Sequence, residues 1–252
     1  MKRNWIFLRG LSRSSGHWGP FVSEFKNKFP LDEVELIDAA GNGTEFARRS
    51  LPSIQKNVDD IRARSKFVGE GRPISLLTIS LGGMMGVDWA TRYPNEVKDL
   101  ILINTSDRRF GHVYERMTLP ALAGFAKVPF VFSSAEKEKR ILDVTVNGWQ
   151  QQAQWVEAFT KMPRTSTVNT LIQLYAAMKS QFPINKPPCQ VVVVSGGLDQ
   201  LADPVCSERL AKAWNCPHLK IQPAGHDVPL THPTELCDLL SEQLSRPQLG
   251  LV

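Results

Sequence analysis

The chain has 252 residues, 42% of them hydrophobic, and a net charge of +5 with a sequence pI near 9.1. That length suits one large α/β domain or two small domains and leaves room for a sizeable core, which argues against wholesale disorder. No apolar run approaches the roughly 20 residues of a membrane span, and no Lys/Arg cluster carries interleaved aromatics, so a membrane-spanning or nucleic-acid-binding protein is disfavoured.

The start, Met1-Lys2-Arg3, is basic, but its apolar stretch ends at Arg9, too short for a secretory signal, and the chain reads as cytoplasmic. Trp5–Leu8 forms a short buried strand. After the turn-rich Ser12–Gly19, a helical pattern runs through Phe21, Val22, Phe25 and Phe29. Val34–Ile37 is a second strand, followed by Gly41-Asn42-Gly43, a turn near the site rather than a dinucleotide fingerprint. Leu51, Ile54, Val58 and Ile61 give an amphipathic helix. The apolar run Ile74–Ile79 stops at Ser80, small residues follow, and a helix resumes through Met84, Met85, Val87 and Trp89 toward Tyr93-Pro94. Leu100–Ile103 is a fourth strand.

Residues 107–183 break this rhythm and read as an all-helical insertion. Ser133 with Glu136 resembles a capping box opening a helix through Ile141 and Leu142. Trp149, Ala153, Val156 and Phe159 share one helical face. Thr165 caps a further helix whose apolar side is Val168, Leu171, Ile172, Tyr175 and Phe182, and Pro183, Pro187 and Pro188 mark the exit. Alternation then returns. Val191–Val194 is a buried strand, Asp203 caps a helix with Pro204 at its first position, Leu219–Ile221 is the last strand, and a final helix starts near His232-Pro233. Strands alternating with helices imply a mostly parallel sheet of about six strands with helices on both faces, the insertion lying over the carboxyl ends of the strands. The core domain is then 1–106 with 184–252, and the cap is 107–183.

A serine on a tight strand-to-helix turn is presented beside the amides of the helix start. Its hydroxyl is a weak nucleophile unless a base takes its proton and a carboxylate orients that base. Loops leaving three strands supply these types in order: Ser80, Asp199 in Ser195-Gly196-Gly197-Leu198-Asp199, and His226 in Pro223-Ala224-Gly225-His226-Asp227. Asp107 and Asp203 are the other carboxylates weighed for the acid. The four cysteines, at 189, 206, 216 and 237, have no CxxC or metal-finger spacing and read as buried free thiols. No metal or cofactor is expected.

With Ser80, Asp199 and His226 in that order, with Arg9-Gly10-Leu11 ending the first strand, and with its Gly-x-x-Asp and Gly-His loops, the chain resembles an α/β-hydrolase over essentially its whole length. It is most similar to the small capped serine esterases of the biotin- and menaquinone-pathway type. The resemblance implies Ser80 as nucleophile, His226 as general base and acid, Asp199 as the orienting carboxylate, and an oxyanion hole from the backbone N–H groups of Leu11 and Leu81. Trp18 and His17 are candidate pocket residues. Two motifs depart from the family pattern: Thr78 stands at the first glycine of Gly-x-Ser-x-Gly, and Arg9 replaces the usual histidine before Gly10. The N-terminus also lacks room for two leading antiparallel strands.

The implied activity is cleavage of a carboxylic ester through an acyl-enzyme. Thioester cleavage, carbon–carbon hydrolysis, perhydrolysis and lyase chemistry are alternatives on the same triad, as is a silent binding protein on the same fold. Residues 108–182 hold ten Lys/Arg against five Asp/Glu, a surplus that suits an acidic substrate or one carried on acyl carrier protein or coenzyme A.

Overall fold

The computed structural model describes residues 2–126 and 131–245. In chain order the elements are β1 (Asn4–Leu8), α1 (Phe21–Lys28), β2 (Glu33–Leu36), α2 (Ile54–Arg64), β3 (Ile74–Ile79), α3 (Leu81–Arg92) and β4 (Val97–Ile103). Then come α4 (Val113–Arg116), α5 (Leu119–Ala126), α6 (Ser134–Thr145), α7 (Gln152–Thr160) and α8 (Thr167–Lys179). The chain closes with β5 (Gln190–Gly196), α9 (Val205–Ala213), β6 (His218–Ile221), α10 (Val228–Thr231) and α11 (Pro233–Ser245).

The six strands form one sheet in the order β2-β1-β3-β4-β5-β6, and every pairing is parallel. This is an α/β-hydrolase fold. Parallel strands need crossovers, so each face is covered by helices and the central strands are buried and mainly apolar. Alternation along the strands divides the core in two. Ile6, Leu8, Leu76, Leu100, Leu102 and Val193 pack against Val58, Ile61, Trp89 and Leu210 of α2, α3 and α9. Trp5, Phe7, Leu77, Ile101 and Val192 pack against Phe21 and Phe25 of α1 and Leu236 and Leu240 of α11. Each such side chain contributes about 1.5–3 kcal/mol by leaving water.

Strand order reverses between β1 and β3, the switch point where sheets of this kind form a crevice at their carboxyl ends. Ser80 and the Arg9-Gly10-Leu11 loop flank that reversal. The insertion sits on the same rim. Thr145 carbonyl accepts from Asp227 N at 2.9 Å, Leu201 carbonyl accepts from Thr118 N at 3.0 Å, and Glu138 pairs with Arg13 at 2.6 Å. Its own core is small: Leu142, Val146 and Phe159 against Leu230. Among the described residues no helix is long and apolar enough to cross a membrane.

The insertion differs from the expectation in several ways. It contains two helices, α4 and α5, that periodicity did not reveal. Ser166, not Thr165, caps α8, its Oγ accepting from Asn169 N at 3.1 Å, while Thr165 donates to Asn42 Oδ1 at 2.8 Å. The expected apolar side of α8 faces outward: Val168, Leu171 and Tyr175 are exposed, while Asn169, Gln173 and Ala176 are buried. Only Phe182, beyond the helix, enters the core as expected. The reason is hydrogen-bond demand at the rim, where loop backbone after β1 and β2 needs partners that an apolar face cannot offer. At α9 the boundary shifts by one residue: Pro204 is the N-cap, and Asp203 accepts from Val205 N at 2.9 Å.

Thr78 is fully buried in the elbow and donates to Ile101 carbonyl at 2.6 Å. Room for it comes from Gly86 of α3, where a Cβ would stand 3.0 Å from Thr78 Cγ2 and 2.8 Å from Leu100 Cδ1. Gly86→Ala is therefore expected to destabilise by about 1–3 kcal/mol in urea unfolding. Adding Thr78→Ser, which removes that methyl and keeps the hydroxyl, should cost less than the sum of the two. Simple additivity would contradict this account of the elbow.

Candidate active site

Ser80 has φ 55° and ψ −119°, a left-handed backbone that L-residues adopt at a cost of about 1–3 kcal/mol. The strain is held by bonds on both sides. Ser80 N donates to Ile103 carbonyl at 2.9 Å, continuing the β3–β4 ladder, and Ser80 carbonyl accepts from Gly83 N at 2.9 Å, starting α3. The side chain is thereby lifted clear of strand and helix and remains partly exposed. Close approach is enforced by glycines. A Cβ on Gly82 would strike the Leu8 carbonyl, and one on Gly10 would lie 3.1 Å from Ser80 Cβ. The β1 loop and the elbow are thus in contact.

His226 is buried, and its Nδ1 meets Asp199 Oδ2 at 2.7 Å. The other Asp199 oxygen accepts the amides of Leu201 at 2.8 Å and Ala202 at 3.0 Å. With a carboxylate at Nδ1, the ring carries its proton there and leaves Nε2 as an acceptor. Asp107 and Asp203 do not reach the imidazole. Asp107 accepts from Arg109 N at 2.8 Å, and burial pushes its carboxyl up. Ser80 Oγ makes no hydrogen bond to His226 in this structure; nucleophile–base contacts commonly tighten only when substrate is bound.

Leu81 directly follows Ser80, and Leu11 follows Gly10, where a Cβ would lie 3.1 Å from Ser80 Cβ. Leu81 opens α3, so its N–H has no carbonyl one turn earlier to meet. Leu11 N donates to no group among the described residues. The Leu11 loop is anchored one residue on, where Ser12 N donates to Gln173 Oε1 at 2.9 Å.

Two positioning devices were not anticipated from the sequence. Asn104, buried at the end of β4 with φ 45°, accepts from Gly196 N at 3.0 Å and donates to His226 carbonyl at 2.7 Å. It ties the strand carrying Asp199 to the loop carrying His226. Its sequence signal was an asparagine ending an apolar strand, a residue that tolerates the left-handed region. The second device is Arg9, whose guanidinium grips Asp227 with two bonds of 3.0 and 2.6 Å, both side chains about 95% buried (4% and 5% exposed). The guanidinium also lies 4.8 Å from the Trp18 ring. The residue replacing the family histidine thus joins the β1 loop to the residue after His226.

Trp18 is almost fully buried within the aromatic cluster of Phe7 and Phe21, beneath Arg9. His17 is buried against Phe159, and its Nδ1 accepts from Ser14 N at 3.0 Å. Burial, then the charges of Arg13 and Arg9, hold its pKa well below the usual histidine value. A cavity of about 340 Å³ between α2, α3 and the end of α8 is lined by Met84, Val87, Phe182 and neighbours, not by Ser80 or His226. All four cysteines are free. Burial pushes Cys189, Cys206 and Cys237 up to about 12 and Cys216 to about 11, which leaves no reactive thiolate near neutral pH. Among the described residues no group of three or more His, Cys, Asp or Glu is placed to hold a metal ion.

A parallel sheet with a strained serine at its switch point and a histidine–carboxylate pair on loops after β5 and β6 suits one class, and the family model agrees: residues 5–239 match the Alpha/beta hydrolase family, to which the chain belongs. It is 25% identical over 261 residues to human monoacylglycerol lipase ABHD6, covering 95% of this chain and 74% of that protein. It is 28% identical over 124 residues to the pimeloyl-acyl-carrier-protein methyl ester esterase of Chromobacterium violaceum, covering 47% of this chain and 45% of that relative. Among solved structures it superimposes on 2-hydroxy-6-oxo-6-phenylhexa-2,4-dienoate hydrolase from Rhodococcus sp. strain RHA1 with a TM-score of 0.74, 14% identity, and coverage of 97% and 91%. At that identity the likeness is one of fold.

Two outcomes follow for stability. Asp227→Asn strands a buried guanidinium and should cost about 3–5 kcal/mol in urea unfolding, whereas Arg9→Met with Asp227→Leu should cost less than that single change. A loss below about 1 kcal/mol for Asp227→Asn would contradict the latch. For His17 the fold disfavours the proton that the unfolded chain binds below the usual value of 6.5. Its contribution is therefore complete above that pH and declines as pH falls toward the lowered folded value. His17→Asn should flatten the stability decline between neutral and mildly acidic pH by about 1 kcal/mol per pH unit. An unchanged slope would contradict the assignment.

Proposed function

We propose that the protein is a serine hydrolase of carboxylic esters, working through Ser80, His226 and Asp199. The observation that carries this reading is the His226–Asp199 hydrogen bond of 2.7 Å on the rim that also presents the strained Ser80. Both curated relatives, a monoacylglycerol lipase and a methyl ester esterase, are named for ester cleavage.

In this mechanism Ser80 Oγ bonds to the acyl carbon while His226 Nε2 takes its proton and the carbonyl π pair moves onto oxygen. The amides of Leu11 and Leu81 hold that oxyanion, a contribution of about 3–4 kcal/mol per donor. The tetrahedral centre collapses, the ester C–O bond breaks, and the departing alkoxide takes the proton from His226. Water then attacks the acyl-enzyme, gives a proton to His226, and releases the acid and free Ser80. Asp199 orients the ring and stabilises the imidazolium that forms. Residues 107–183 act as the cap that shapes the acyl pocket. Among their described cations, Arg108, Arg109, Arg116, Lys137, Arg164 and Lys179 form no salt bridge, which favours an acidic ester or acyl carrier; Lys127 lies outside the described residues.

Ser80→Ala should lower kcat on an activated ester such as a p-nitrophenyl ester by about 10³-fold or more, with the unfolding transition retained. Asp199→Asn, which permits the wrong tautomer, should lose about 10⁴-fold. Turnover of either variant within tenfold of the parent would overturn the triad. Parallel assays on thioesters and β-diketones identify the bond cleaved, and a kcat/KM that is highest on a diketone would overturn the ester assignment.

A further inference from the structure

Helix α8 is built inside out. Its 13 residues place Val168, Leu171, Tyr175 and Met178 at spacings of three, four and three, on one face. All four are in solvent, with 58, 60, 51 and 69% of their surface exposed. The face turned to the protein carries Asn169 and Gln173, both buried, and their amides are saturated. Asn169 accepts from Ser50 N at 2.9 Å and donates to Arg48 carbonyl at 3.0 Å. Gln173 accepts from Ser12 N at 2.9 Å and donates to Asn42 Oδ1 at 2.8 Å and Ser50 Oγ at 2.9 Å. Rolling the helix to bury its apolar side would orphan these groups, each costly to strand away from water. The outward apolar face is therefore specified by the polar one. An ordinary surface helix has the opposite arrangement.

Charge decides what covers it. From residue 158 to 198 the sequence holds Lys161, Arg164, Lys179 and Lys186 and no aspartate or glutamate. Arg164 precedes α8 and Lys179 ends it; neither has a carboxylate partner among the described residues, and Lys179 Nζ lies 5.5 Å from the Tyr175 ring. A second copy docked on this face would bring Arg164 and Lys179, neither of them ion-paired, against the same cations of its partner, which disfavours self-association. An apolar helical face, flanked by cations and supplied with an interfacial tyrosine, matches the surface of an anionic bilayer, where the side chains enter the acyl boundary and the cations meet the headgroups.

We propose that the outer face of α8 docks the protein onto anionic lipid bilayers. The proposal concerns binding and stands whether or not Ser80 is the nucleophile. Its test is co-sedimentation of the full chain with phosphatidylcholine vesicles containing or lacking phosphatidylglycerol. The chain should bind the anionic vesicles, bind at least about tenfold less to the neutral ones, and be released by added salt. Leu171→Ser with Met178→Ser should abolish binding while keeping the parental unfolding transition and esterase rate, since both residues are exposed. Arg164→Gln with Lys179→Gln should weaken binding several-fold. Equal vesicle binding by the Leu171/Met178 variant would overturn the proposal, as would no binding by the parent. Sedimentation velocity showing a parental dimer that the same variant disperses would assign the face to a second copy instead.

Discussion

A carboxylate removed from water must find replacement donors in the protein, and the way Asp199 finds them organises the rim of this molecule. One oxygen takes two successive amides of its own loop, and the other takes the imidazole of His226 at 2.7 Å. The amides make the carboxylate tolerable when buried, and the carboxylate orients the ring. Everything nearby keeps those partners aligned. Asn104 bridges the two loops by its side chain, and Arg9 clamps Asp227 immediately after the histidine. Because Gly10 follows Arg9 and touches the Ser80 turn, the clamp reaches the serine as well. Parallel pairing makes this convergence possible, since it delivers every strand's carboxyl end to one edge.

The insertion is fastened to that edge by polar contacts more than by a shared core. Thr145, Glu138, Asn169 and Gln173 each bond a loop that leaves a strand. A polar clasp satisfies loop backbone that would otherwise be stranded, and it leaves the apolar residues of α8 outside. The Gln173 contact to Ser12 links α8 to the residue after Leu11, so the outer surface of the insertion and the loop beside Ser80 are parts of one connected unit.

Period and punctuation made the sheet legible. The apolar runs Trp5–Leu8, Leu100–Ile103 and Val191–Val194 became strands, because a strand buried on both faces has no polar side to confuse the pattern. The serine turn, the Gly-x-x-Asp loop and the Gly-His loop were readable for the same reason: each interrupts a strand with residues that only a turn wants. What failed to show was long-range polar chemistry. Nothing local in Asn169 or Gln173 says that they face inward, since their partners lie more than a hundred residues away, and the apolar period of α8 pointed to the wrong side. Arg9 was visible only as a departure from a motif. Its role required Asp227, 218 residues distant, to be placed beside it.

The central claim is that Ser80 is an activated nucleophile, and covalent labelling reads it directly. Incubation with a fluorophosphonate, followed by peptide mapping, should place one phosphonyl group on the peptide containing Ser80. The same reagent should leave Asp199→Asn largely unmodified over the same time. An unlabelled parent protein, or a label on any other residue, would contradict the account.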